Sequence, residues 1–158
     1  MKPWNILPRQ PLPSLKTRCL PKKNYWVEAD LGVRLPEQLR RLYLECDGFR
    51  EDRGNAKYLL SLTEEDFIGS LIRTTRFWWE EWRQYHPNLD FRPYIFFGSS
   101  SGDDCWGINW QKGGEIIAYH HNMEGQYEVV ASDIIELYQA DYTRYDKIQG
   151  RGEPNAAY

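Results

Sequence analysis

The chain has few cysteines, few histidines and no long apolar run, and each shortage argues against a class of protein. Its three cysteines, Cys19, Cys46 and Cys105, are odd in number, far apart and free of any CxxC spacing. Such thiols argue against a disulfide framework or a zinc site and suit a reducing compartment. No stretch approaches the roughly 20 apolar residues that span a bilayer. The opening MKPWNILPRQ also lacks the apolar core of a secretion signal. The expectation is a soluble, cytoplasmic chain that is not exported. The histidines His86, His120 and His121 follow no Cys-His pattern and HExxH does not occur; Gly98-Ser99-Ser100-Ser101-Gly102 fits the letters GxSxG but reads as a loop between two strands, not as the strand-to-helix turn of a nucleophile elbow.

Acidic residues are missing before Glu28, whereas Lys2, Arg9, Lys16, Arg18, Lys22 and Lys23 all fall there. The remainder then holds 14 basic residues against 23 acidic ones, an excess of nine negative charges. A net acidic domain repels nucleic acid and favours a basic partner. Five prolines, Pro3, Pro8, Pro11, Pro13 and Pro21, are too many for a helix or an inner strand. Residues 1–23 therefore read as an extended, basic arm that is able to touch an acidic surface of its own domain. Residues 24–145 read as one domain, and 146–158, with little to bury, as a loose tail.

What the chain has is a globular composition, 41% hydrophobic and 15% aromatic, with the length for one real core. Seven tryptophans read first as packing. Asn24 is placed to cap a short helix ending at Leu31 and Gly32. Pro36 suits the first position of a second helix, in which Leu39, Leu42, Tyr43 and Cys46 keep helical spacing until Gly48. Tyr58 to Leu62 has the composition of a strand. Thr63 with Glu64, Glu65 and Asp66 would cap the longest helical pattern, whose stripe Phe67, Ile68, Leu71, Ile72, Thr75, Trp78, Trp79 and Trp82 ends before Pro87. Gly69 leaves open a division into two helices.

The central stretch, Arg92 to Trp110, reads strand, loop, strand. Tyr94 to Phe97 forms the first strand, Gly98 ends it, and Ser99 to Gly102 is a loop. Trp106, Ile108 and Trp110 then share one strand face. Glu115 to His121 and Tyr127 to Ala131 follow as strands joined by Asn122 to Gly125. Ser132 would cap a last helix that buries Ile134, Ile135, Leu137 and Tyr138.

Catalytic constellations are weak. His120 and His121 are neighbours on a strand and point to opposite faces, as do Asp103 and Asp104. One histidine and one aspartate across adjacent strands would still be fewer ligands than a catalytic zinc normally has. The Gly98 to Gly102 loop lacks the lysine of a phosphate cradle. No catalytic residue, metal or cofactor is expected. A binding surface is expected instead around the hairpin loops, where Asp103, Asp104, Glu124 and Glu128 would meet a basic partner and Trp106, Tyr119 or His121 would anchor it.

The run Leu31-Gly32-Val33-Arg34-Leu35-Pro36-Glu37-Gln38-Leu39, followed by Leu42-Tyr43 and Asp47-Gly48-Phe49, resembles the opening of the SUKH superfamily, the Smi/Knr-like domains. Tyr58 to Leu62, then Ile95-Phe96-Phe97-Gly98 with Gly102-Asp103 and Trp106-Gly107-Ile108, and finally Val129 to Ser132, are similar to its later segments in the same order. The resemblance spans roughly Tyr25 to Tyr138. It implies an α+β fold with a curved, mainly antiparallel sheet of about five or six strands and flanking helices. The family includes immunity proteins that neutralise bacterial toxins, often nucleases, and eukaryotic regulators of cell-wall synthesis that act as interaction hubs. It brings no shared catalytic site. An immunity protein with a toxin partner is the leading expectation. An intracellular scaffold or regulator is the second, and a small metal-dependent enzyme the third.

Overall fold

The structure, a computed structural model, describes residues 20–50, 57–66, 68–101, 104–120 and 126–138. Tyr94, Ile95, Phe96 and Phe97 are all buried. Successive strand residues point to opposite faces, so this run needs a sheet covered on both sides. That is what forms around it. Strands β1 (Phe49–Arg50), β2 (Lys57–Leu59), β3 (Tyr94–Ser100), β4 (Cys105–Asn109), β5 (Ile116–Tyr119) and β6 (Tyr127–Ala131) make one sheet in sequence order. Every neighbouring pair is antiparallel. With helices on both faces this is an α+β fold, as expected.

One face carries Ile95, Phe97, Trp106, Ile108, Ile116 and Ala118. Helix α1 (Leu20–Leu31) packs on it with Val27 and Leu31, and α2 (Glu37–Glu45) with Leu39 and Tyr43. Ile134 and Leu137, from a short helix α5 that is described over 134–138, complete that core. The opposite face carries Tyr94, Phe96, Ile117 and Tyr119 under Trp78 and Phe91. Trp78 stacks on Phe96, with ring centroids 4.8 Å apart and planes 17° from parallel.

Several boundaries differ from the sequence reading. Helix α1 begins at Leu20, four residues before Asn24. Pro21 fits because a first-turn residue has no intrahelical use for its N–H. Asn24 is therefore a buried interior residue, whose Nδ2 donates to the Arg40 carbonyl at 3.3 Å. Gly32 does end α1, at φ +70°. The arm over residues 1–19 and the tail from 146 lie outside the described residues.

The long helix starts later than Thr63 suggests. Ser61 bridges Ser70, its N–H donating to the Gly69 carbonyl at 2.7 Å, and this closes the intervening loop. Ser70 is then the cap, its Oγ accepting from the Arg73 N–H at 3.3 Å. The helix runs through α3 (Leu71–Arg76), a π-helical turn (Phe77–Glu81) and α4 (Trp82–Tyr85). Thr63 instead joins Ser61, the Leu62 N–H and Lys23 as donors to Asp47. Phe67 lies outside the described residues, and Ile68 is exposed rather than part of the buried stripe.

Strand β3 also continues past Gly98, where Ser99 and Ser100 pair with Tyr58 and Lys57 of β2. Gly98 sits at a bulge opposite Trp106. A Cβ there would lie 2.7 Å from the Trp106 ring, so glycine is what lets the indole lie against the strand. In α5 the cap is Asp133, whose Oδ1 accepts from the Glu136 N–H at 2.7 Å, and Glu136 reaches back to the Ser132 N–H at 2.8 Å. Ile135 points outward and is exposed, not buried as its spacing suggested.

Candidate functional site

Antiparallel register gathers charge at one end of β4, β5 and β6. Cys105 lies opposite Tyr119, and Tyr119 opposite Tyr127. The next residue on each strand with the other orientation is Asp104, His120 or Glu128, so these three side chains share the α1/α2 face. His120 Nδ1 is 3.2 Å from Asp104 Oδ1, and its Nε2 is 2.8 Å from Glu128 Oε1. Partial burial pushes the imidazole pKa down, but the hydrogen bonds to Glu128 and Asp104 outweigh it, and the net direction is above the ordinary histidine value. With both nitrogens facing carboxylates, the ring matches an imidazolium donating twice. The trio then carries one net negative charge.

Asp104 and Glu128 are thus brought together, as the sequence suggested, while Asp103, His121 and Glu124 lie outside the described residues. The two aromatic candidates need correction. Trp106 is 4% and Tyr119 3% exposed, and they belong to the two opposite cores. Neither is a surface anchor, because helices cover both sheet faces. Spacing along a single strand does not show His120 as an organiser; its place beside Asp104 follows only once the strand register is known. Among the described residues no group of three or more His, Cys, Asp or Glu is arranged to hold a metal ion.

Exposed apolar surface lies nearby on the other face. Strand β6 is last in the sheet order, and its Tyr127 and Val129 point to the same side as Tyr119 and Ile117. Trp78 packs against Phe96 and Tyr119 on this face, whereas Val129 on β6 is 60% exposed. Tyr127 keeps partial support from the Phe91 ring, 5.5 Å away between centroids. The tryptophans of the long helix are structural. Trp78 is buried, and Trp79 Nε1 donates to the Tyr94 carbonyl at 2.8 Å. Among the described residues no helix is long and apolar enough to cross a membrane.

Residues 26–140 match the SMI1 / KNR4 family (SUKH-1). No curated protein and no solved structure matches the chain.

Proposed function

Because this chain belongs to the SMI1 / KNR4 family (SUKH-1), we propose that it is a non-enzymatic protein-binding domain acting as an immunity protein that binds and neutralises a bacterial toxin in the cytoplasm. The observation that carries the reading is the Asp104-His120-Glu128 end of the sheet, where two carboxylates are held at the surface beside edge strand β6. A basic toxin surface, such as a nuclease uses to hold its substrate, complements that charge. Exposed Tyr127 and Val129 supply apolar contact that the buried Trp106 and Tyr119 do not. No metal, cofactor or catalytic residue enters this reading, and the partner is neither nucleic acid nor membrane.

The test is co-expression with the toxin encoded beside its gene. Protection of growth, with a complex that copurifies, is the expected result. Unprotected growth, with no complex formed, would remove the immunity assignment. A second reading follows from the resemblance to Smi/Knr-like domains: an intracellular scaffold or regulator of the Smi/Knr type. Absence of any neighbouring toxin gene, together with copurification of endogenous proteins from the source cells, supports that one.

A further inference from the structure

His120 follows β5, between β4 and β6, and the two bonds it makes require a proton that it is able to lose. Asp104, on the segment entering β4, and Glu128, on β6, are the charged groups that face it from the neighbouring strands. Tyr119 and Tyr127 turn to the other side of the sheet. An imidazole offers two N–H donors only when protonated. Once neutral it keeps one, and its bare nitrogen sets a lone pair against the lone pairs of a carboxylate. Both contacts cannot then persist.

We propose that His120 is a pH-sensitive latch: protonated, it ties the start of β4 to β6 across β5, and deprotonated, it lets go of one carboxylate and loosens that end of the sheet. Release also turns the trio from one net negative charge to two. The start of β6 feels this, because among the described contacts only the latch and the β5/β6 ladder hold Glu128. The direction of the titration agrees, since the hydrogen bonds that His120 donates to Glu128 and Asp104 more than offset the effect of burial and raise the imidazole pKa. A group raised on folding contributes stability that is complete below its ordinary value of 6.5 and is lost as pH rises through its folded value. The latch is a property of the sheet and holds whichever partner the domain binds.

Two measurements test it. Ring chemical shifts of His120 are followed by NMR titration in the wild type, Asp104→Asn and Glu128→Gln. The wild-type midpoint is expected above the ordinary histidine value, and each variant is expected to lower it. A midpoint at or below the ordinary value, or one that neither variant moves, overturns the proposal. Amide hydrogen exchange at 104–106 and 126–128 is then compared between wild type and His120→Gln at matched pH. Glutamine is neutral and does not titrate, so it lacks the charge-assisted bonds at every pH. Below the His120 midpoint the wild type should exchange roughly tenfold more slowly, the scale expected from one charge-assisted hydrogen bond, and above it the two should converge. A ratio that stays constant across the titration sinks the latch, even where the midpoint is raised.

Discussion

The hydroxyl of Thr75 serves both main-chain groups of a single residue, Phe96: it donates to the Phe96 carbonyl at 3.3 Å and accepts from the Phe96 N–H at 3.1 Å. Among the described residues β2 pairs with β3 from Gly98 to Ser100, with the Leu60 N–H reaching the Phe97 carbonyl, so Tyr94 to Phe96 have no strand on that side. Helix α3 takes its place. Replacing Thr75 by valine keeps the shape and removes both bonds, leaving a buried donor and a buried acceptor unpaired. Each such group costs about 1–3 kcal/mol, so Thr75→Val should lose roughly 2–6 kcal/mol in urea denaturation. Thr75→Ser keeps the hydroxyl and should lose less. A valine variant within about 1 kcal/mol of wild type would show that the helix is not what completes this strand.

Gly98 and Trp106 should be coupled. Trp106→Ala empties a buried position and is expected to cost about 3–5 kcal/mol in chemical denaturation. Gly98→Ala drives a methyl group towards the indole, 2.7 Å from its nearest carbon, and should also destabilise. In the Trp106→Ala background that clash is gone, and the alanine at position 98 should cost less, with a coupling of about 0.5–3 kcal/mol. Simple additivity of the two changes would place the Trp106 ring elsewhere.

Asp47 sets an acid limit on stability. Burial pushes its pKa up, but the hydrogen bonds from the Thr63 hydroxyl and the Leu62 N–H, with the Lys23 ammonium 3.3 Å away, outweigh this and leave it below the usual aspartate value. Its contribution is present above the unfolded value of about 3.9 and is lost as pH falls through the lower folded value. Asp47→Asn should therefore destabilise at neutral pH, by roughly 1–3 kcal/mol, and the gap to wild type should narrow as the wild type is acidified below pH 4 or so. Denaturation curves at neutral and acid pH decide it, and a gap independent of pH would remove Asp47 from the account.

The charge at Asp104 and Glu128 should act on encounter with the partner. Against a genomically linked toxin, Asp104→Lys/Glu128→Lys should associate more slowly at low salt, by about tenfold if this end is the docking face. The difference should shrink near physiological salt, where the screening length falls to about 8 Å. Equal on-rates at low salt would move the docking face away from this end, and the next surface to vary would be the Tyr127 and Val129 strip of β6.

Residue spacing alone determined most of the elements and much of the core of this protein: Leu39 with Tyr43, Trp106 with Ile108, the Gly32 helix end, five of the six strands, though not the two-residue β1, and the order of motifs that marks the family. These are local because helical and strand periods are set by the backbone, and hydrophobic residues declare the period they follow. Where the helices lie was decided only in three dimensions. Trp106 and Tyr119 look alike as candidate anchors in sequence, and both vanish into cores because α1, α2 and α5 cover one face and the Trp78 helix covers the other. Ile68 and Ile135 fit buried stripes by spacing and stand outside them, since burial depends on what comes to lie opposite. The meeting of Asp104, His120 and Glu128 likewise awaited the register of three strands, because a one-residue slip would send each side chain to the other face. Hydrogen bonds such as Thr75 to Phe96 join residues 21 positions apart, and no local pattern announces them.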